Sequence, residues 1–155
     1  MDAFKCITNE TENETFWKFS GVMNENFQMP TLFGKKRLTI NLKDIQMINS
    51  YGIKVWCKWV MQSKLLPKIT LEECPFVFIK NISAIKGFIS GNMTIVSFFV
   101  PFFNEDSQER KDILFKVESD YTLDGFIKIP KVTDSKGAEM ELDVNKTTYF
   151  AFLKK

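Results

Sequence analysis

The sequence contains no histidine. This absence excludes the nucleophilic schemes that need an imidazole, histidine general bases and most zinc sites. The chain also lacks a glycine-rich loop of the kind that cradles phosphate groups. We therefore expect a protein that has no catalytic residues, no cofactor and no metal, and that acts by binding.

Cysteine, proline and glycine are scarce as well, with 3, 5 and 7 residues. The cysteines, Cys6, Cys57 and Cys74, are odd in number and widely spaced, which is typical of reduced thiols inside a cell. A hydrophobic share of 45% and a charged share of 26% indicate a globular chain. At 155 residues it is long enough for one domain with a real core and a small appendage.

Charge and long apolar runs are also limited. The net charge is +2, and the densest basic cluster, Lys35-Lys36-Arg37, predicts a solvated strand entry, so we expect no nucleic-acid partner. The most apolar window, residues 94–103, falls short of the about 20 residues that span a bilayer. Residues 1–5 lack the pattern of a secretion signal. These features favour a cytoplasmic protein without membrane insertion.

Hydrophobic periodicity divides the chain into an α/β part and a β-rich part. Before residue 92, strands are predicted at residues 4–8, 15–20, 38–42 and 69–72, and helices beginning at Asn24, Ser50 and Cys74. The apolar stripe of the second helix is predicted to contain Ile53, Trp56, Cys57, Val60 and Met61. This order predicts an α/β domain over residues 1–98.

Beyond residue 92 the pattern is mainly that of strands, at residues 93–103, 113–118, 126–129 and 139–142. We expect a β-hairpin extension over residues 99–155 that packs on the first domain.

The most informative passage is a strand followed by a helix. Leu38, Ile40 and Leu42 alternate with polar residues, and the helical pattern begins just after Asn49 and Ser50, two good N-cap residues. A hydroxyl group at the start of a helix is well placed to carry or meet a phosphate.

This passage resembles the signature loop of the STAS domain, the fold shared by sulphate-transporter tails and anti-sigma-factor antagonists. The family's loop usually reads Asp-Ser-Ser/Thr-Gly-Leu-Gly, and residues 49–54 here read Asn-Ser-Tyr-Gly-Ile-Lys. Residues 19–25 are similar to its early strand and turn, and the resemblance covers about residues 1–98. It implies a mixed sheet with helices largely on one face, in a protein of bacterial signalling.

The resemblance implies a partner-binding site at Asn49, Ser50, Tyr51, Gly52 and Lys54. In family members that act as switches, the matching serine is phosphorylated by a kinase that also binds the domain. The other interpretation is that Ser50, or Asn49, only caps the helix. Two departures from the family's loop favour the capping interpretation: Asn49 stands in place of Asp, and the bulky Tyr51 stands in place of a small hydroxyl residue.

A narrower resemblance is to bacterial STAS-like proteins with an appended β region that carries two Cys-x-x-Cys knuckles. The corresponding positions here are Asn104 with Ser107, and Thr133 with Lys136. None of these side chains is a usual zinc ligand. The resemblance therefore implies a ribbon without its metal, held by the apolar packing of Phe102, Phe115, Phe126 and Phe150.

Three aromatic residues are candidates for an interface, namely Trp59, Phe99 and Phe103. The pattern favours a core position for Trp59, whereas burial within the extension and an interface fit Phe99 and Phe103 equally well. Taken together, the sequence predicts a non-enzymatic regulatory module that binds a kinase-like or anti-sigma-type protein. The alternative is a structural protein that self-associates through its aromatic β extension. An enzyme or small-ligand binder ranks third.

Overall fold

A computed structural model describes residues 1–32, 34 and 36–153. The fold is mixed α/β, with two sheets and three helices in the described residues. The strands are β1 (Lys5–Glu10), β2 (Glu14–Met23), β3 (Arg37–Ile48), β4 (Ile69–Glu72), β5 (Met93–Ile95), β6 (Ser97–Phe103), β7 (Arg110–Lys116), β8 (Val132–Thr133) and β9 (Glu139–Leu142). The helices are α1 (Ser50–Gln62), α2 (Phe76–Ala84) and α3 (Lys146–Tyr149), with 3-10 turns at Ser63–Leu65 and Ala151–Leu153.

The first sheet has the strand order β1-β2-β3-β4-β5, with β1 antiparallel to β2 and the other neighbours parallel. Its register aligns Trp17 with Ile40, Ile40 with Leu71, and Leu71 with Ile95. All four side chains are buried, so one apolar row crosses the sheet. The alternation seen in the sequence reflects this single buried face.

Helices α1 and α2 pack on this apolar row through aromatic side chains. The rings of Trp59 and Trp17 lie 6.0 Å apart, and those of Trp56 and Phe78 lie 5.3 Å apart. The buried indole Nε1 of Trp56 donates to the carbonyl of Phe88 at 2.7 Å. The polar atom of this buried tryptophan is thereby satisfied inside the core.

The second sheet has the order β7-β6-β9-β8, and all its neighbours are antiparallel. A bridge between Cys74 and Phe98 connects it to the end of β4. The Phe98 ring lies 5.7 Å from Phe115 and 5.1 Å from Tyr121, so the buried cluster continues from one sheet to the other. The expected boundary after residue 98 falls within β6.

The α/β class and most predicted elements are confirmed, but several local predictions are wrong. The strand expected at residues 126–129 is irregular: the Phe126 carbonyl accepts from Thr122 in a local turn, and Ile127 forms an isolated bridge with Tyr121.

The expected helix at Asn24 is a turn, in which the Asn24 side chain accepts from the backbone N–H of Asn26. Pro30 disfavours helical backbone at residue 29, which leaves too few residues for a stable helix. Met61 is 70% exposed and Phe126 is 67% exposed, so neither belongs to the core. A periodic pattern does not show where the packed surface ends.

The expected basic strand entry at residues 35–37 includes Lys35, which lies outside the described residues. Lys36 donates to the carbonyl of Thr11 at 3.1 Å, and Arg37 is exposed. Within the part of the chain that the structure describes, no helix combines the length and apolar character needed to cross a membrane.

Candidate functional site: the loop between β3 and α1

Asn49 fixes the connection between β3 and α1. Its side-chain Oδ1 accepts from the backbone N–H of Gly52 at 3.0 Å, and its carbonyl accepts from Ile53 at 2.9 Å. Its own N–H donates to the carbonyl of Met23 on β2 at 3.1 Å. The helix cap is therefore Asn49, which leaves the hydroxyl of Ser50 free of that role.

Gly52 allows the loop to approach β2 closely. It is buried, and a Cβ added to it would lie 2.0 Å from the carbonyl oxygen of Met23. Because that neighbour is backbone, the clash has no easy relief. The glycine of the predicted motif is thus required by packing in this fold.

The loop presents Ser50, Tyr51 and Lys54 outward. Tyr51 is 62% exposed, and Ser50 and Lys54 are also exposed. The first turn of α1 contains no acidic residue, so the positive end of the helix dipole is not offset from within the helix. All five predicted loop residues lie together, two holding the backbone and three facing solvent.

Glu25 is a loop neighbour that the sequence did not indicate. Its carboxylate accepts from the side-chain Nδ2 of Asn49 at 3.2 Å. The two residues are 24 positions apart, and only the parallel pairing of β2 with β3 brings them together. No pattern in the sequence predicts that contact.

The three predicted interface aromatics lie elsewhere. Trp59 is half-buried on α1, with its ring 6.0 Å from Trp17 and 5.4 Å from Trp56. Phe99 and Phe103 are half-buried on β6, and the guanidinium of Arg110 lies 4.7 Å from the centre of the Phe103 ring. These side chains are partly covered by the protein itself.

The cysteine thiols do not add a reactive group to the loop. Burial raises the pKa of Cys74 well above its ordinary value, and the nearby Glu72 carboxylate raises it further. Burial also raises the pKa values of Cys6 and Cys57. The thiols therefore stay protonated near neutral pH and are poor nucleophiles.

The two knuckle-like turns lie beside each other in the second sheet. The Asn104 side chain donates to the carbonyl of Glu139 at 3.1 Å, and Ser135 donates from its N–H and hydroxyl to the Glu109 carboxylate. These bonds lower the pKa of Glu109. Within residues 1–32, 34 and 36–153, no cluster of three or more acidic or cysteine side chains is placed to hold a metal ion.

Comparisons with known proteins do not assign this chain to a family. No family model matches it, and no match was found among curated proteins or among solved structures. The interpretation of the loop therefore depends on its own geometry.

Proposed function

We propose that this protein is a non-enzymatic regulatory module of STAS-like arrangement, which binds a protein partner through Ser50, Tyr51 and Lys54. The observation that carries the proposal is that some loop residues hold the backbone and others face the solvent. Asn49 and Gly52 hold the backbone, while the next side chains are exposed. A rigid loop with an unused hydroxyl suits recognition, because little freedom is lost on binding.

Phosphorylation of Ser50 by a kinase-like partner is the switch in this proposal. The phosphoryl group passes from a nucleoside triphosphate to Ser50 Oγ, with release of the nucleoside diphosphate and loss of the hydroxyl proton. It adds about −1.5 to −2 charge at neutral pH. The helix N-terminus stabilises that charge, whereas the Glu25 carboxylate beside Asn49 opposes it. The partner then meets a surface whose charge near Lys54 is reversed.

A pull-down with four baits tests the proposal. Wild type, Ser50→Ala, Ser50→Asp and Ser119→Asp are incubated with native lysate, and bound proteins are identified by mass spectrometry. Ser119 is an exposed serine in the second half of the chain, so its variant adds the same charge elsewhere. We expect a kinase-like or anti-sigma-type partner to be lost only from Ser50→Asp.

Equal recovery of the partner by all four baits would remove Ser50 from the site. Circular dichroism of each bait checks that a loss of binding does not come from unfolding. Ser50→Ala should stay folded, because the cap bond belongs to Asn49.

Self-association is the second candidate function, and exposed apolar residues in the second half favour it. Phe126 is 67% exposed and Leu123 is 43% exposed, both in the segment between β7 and β8. A mass in solution that rises with protein concentration, and falls back to the monomer in Phe126→Ser, would support assembly. A monomeric mass at all concentrations would reject it.

A further inference from the structure

The outward side of α1 carries apolar side chains where a surface helix is normally polar. Met61 is 70% exposed and Leu65, in the 3-10 turn that continues the helix, is 89% exposed. Residues 58, 61 and 65 are separated by three or four positions, so they lie on one side. Trp56 and Val60 occupy the opposite, buried side.

Lysines surround these two apolar side chains. Between Asp44 and Glu72 the charged residues are Lys54, Lys58, Lys64 and Lys68, with no acidic residue among them. All four are exposed. We name Lys58, Met61, Lys64, Leu65 and Lys68 the α1 tip. The α1 tip lies at the other end of the helix from Ser50. At a helical rise of 1.5 Å per residue, the two are about 20 Å apart.

Among the described residues, no carboxylate forms an ion pair with Lys58, Lys64 or Lys68. A shallow concavity beside Pro67 is lined by Glu14 and Arg37, which form an ion pair of 3.9 Å. Glu25 contacts Asn49, at the start of α1. The α1 tip therefore presents uncompensated positive charge around two projecting apolar side chains.

We infer that the α1 tip docks this protein on an anionic lipid surface. The lysine ammonium groups meet lipid phosphates, and Met61 and Leu65 enter the boundary between headgroups and acyl chains. Met61 and Leu65 both project from the protein surface. Acyl chains accept such a projection without a matching pocket, and lysine stems extend along the boundary while their charges stay in water. This contact is peripheral and independent of the Ser50 loop.

Vesicle co-sedimentation tests the inference. Vesicles of phosphatidylcholine alone are compared with vesicles of equal parts phosphatidylcholine and phosphatidylglycerol. We expect wild type to bind only the anionic vesicles and to be released by salt, because screening weakens the lysine contribution.

Two double variants separate the contributions. Lys64→Gln with Lys68→Gln should weaken binding roughly 30-fold, at about 1 kcal/mol for each lysine. Met61→Ser with Leu65→Ser should weaken it at least about tenfold, because burial of these side chains is lost. The matched controls, Lys128→Gln with Lys131→Gln and Phe126→Ser, change exposed residues elsewhere and should bind as wild type does.

Failure of wild type to bind anionic vesicles would overturn the inference, and so would equal losses in the control variants. If an acidic protein binds wild type but not Met61→Ser with Leu65→Ser, while vesicles bind neither, the surface serves a protein instead. Urea unfolding of each variant confirms that the fold is kept.

Discussion

Asn49 and Gly52 hold the loop before α1 in place by two different contacts. Asn49 supplies the cap acceptor for α1, and Gly52 lets that helix begin against the backbone of β2. Each makes a contact that the adjacent Ser50 and Tyr51 do not. Substitutions along the loop should therefore differ sharply in how much they lower the free energy of unfolding.

Replacing Asn49 by alanine should lower the free energy of unfolding by about 1 kcal/mol, because the N–H of Gly52 loses its acceptor. Ser50→Ala is the matched control and should change it by less than about 0.5 kcal/mol. Urea denaturation at neutral pH measures both. A larger loss of stability in Ser50→Ala than in Asn49→Ala would show that Ser50, and not Asn49, caps the helix.

Gly52→Ala should destabilise the protein by about 1–3 kcal/mol or more, as expected when a methyl group is forced into a filled space. The new Cβ would meet the Met23 carbonyl oxygen at 2.0 Å. Gly91→Ala provides the comparison, since no atom lies within 4 Å of an added Cβ there. Similar unfolding midpoints for the two variants would contradict the close approach of α1 to β2.

At the scale of elements, the second sheet is held at one end by two turns that bond to each other. Residues 104–109 follow β6, residues 134–138 follow β8, and the Ser135–Glu109 hydrogen bonds join them. These hydrogen bonds tie the turn after β6 to the turn after β8. Such bonds depend on the charge of Glu109.

The contribution of the Ser135–Glu109 hydrogen bonds to the free energy of unfolding should fall at low pH. Hydrogen bonds from Ser135 lower the Glu109 pKa from its ordinary value of 4.5, so folding favours the ionised carboxylate. The stabilisation is complete above about pH 5 and is lost as the pH falls through the lowered pKa. We expect Ser135→Ala to be less stable than wild type at pH 7 and the difference to shrink below pH 4.

Denaturant unfolding at pH 7, 5 and 3.5 checks this dependence, with Ser119→Ala as the control for losing a surface hydroxyl. A stability difference between wild type and Ser135→Ala that stays constant with pH would show that the Glu109 charge is not involved.

On the scale of the whole molecule, Phe98 connects the two sheets. It is fully buried, pairs with Cys74 just after the last residue of β4, and contacts Phe115 of the second sheet and Phe150, which follows α3. A core shared in this way couples the stability of both halves, because neither can open without exposing the same cluster.

The two halves should therefore unfold together. Tryptophan fluorescence reports the first half, where all 3 tryptophans lie, and hydrogen exchange of peptides from β6, β7 and β9 reports the second. We expect one unfolding free energy from both probes. Phe98→Ala should lower both values by about 3–5 kcal/mol.

Phe126→Ala serves as the control, because its ring is 67% exposed and contributes little to the core. Two separate transitions, or a loss confined to one probe, would indicate independent domains on either side of residue 98.

Local patterns in the sequence were sufficient for most elements. The prediction of β4 at residues 69–72 and β9 at residues 139–142 is confirmed, and the helix start at Ser50 is confirmed as well. These elements have a clear period or a capping residue, which act over a few positions. The segment of residues 24–29 was misassigned, because its capping residue is followed by too few residues before Pro30 for a helix to form.

By itself, the sequence determined the α/β class, the position of the loop before α1 and the absence of histidine chemistry, because each follows from residue type or short-range spacing. Only the tertiary structure decided that Asn49 is the cap, that Glu25 lies beside it, and that Met61 and Leu65 face outward. Contacts between distant residues and the limits of a packed surface depend on how strands pair and helices dock, and single-chain periodicity does not carry that information.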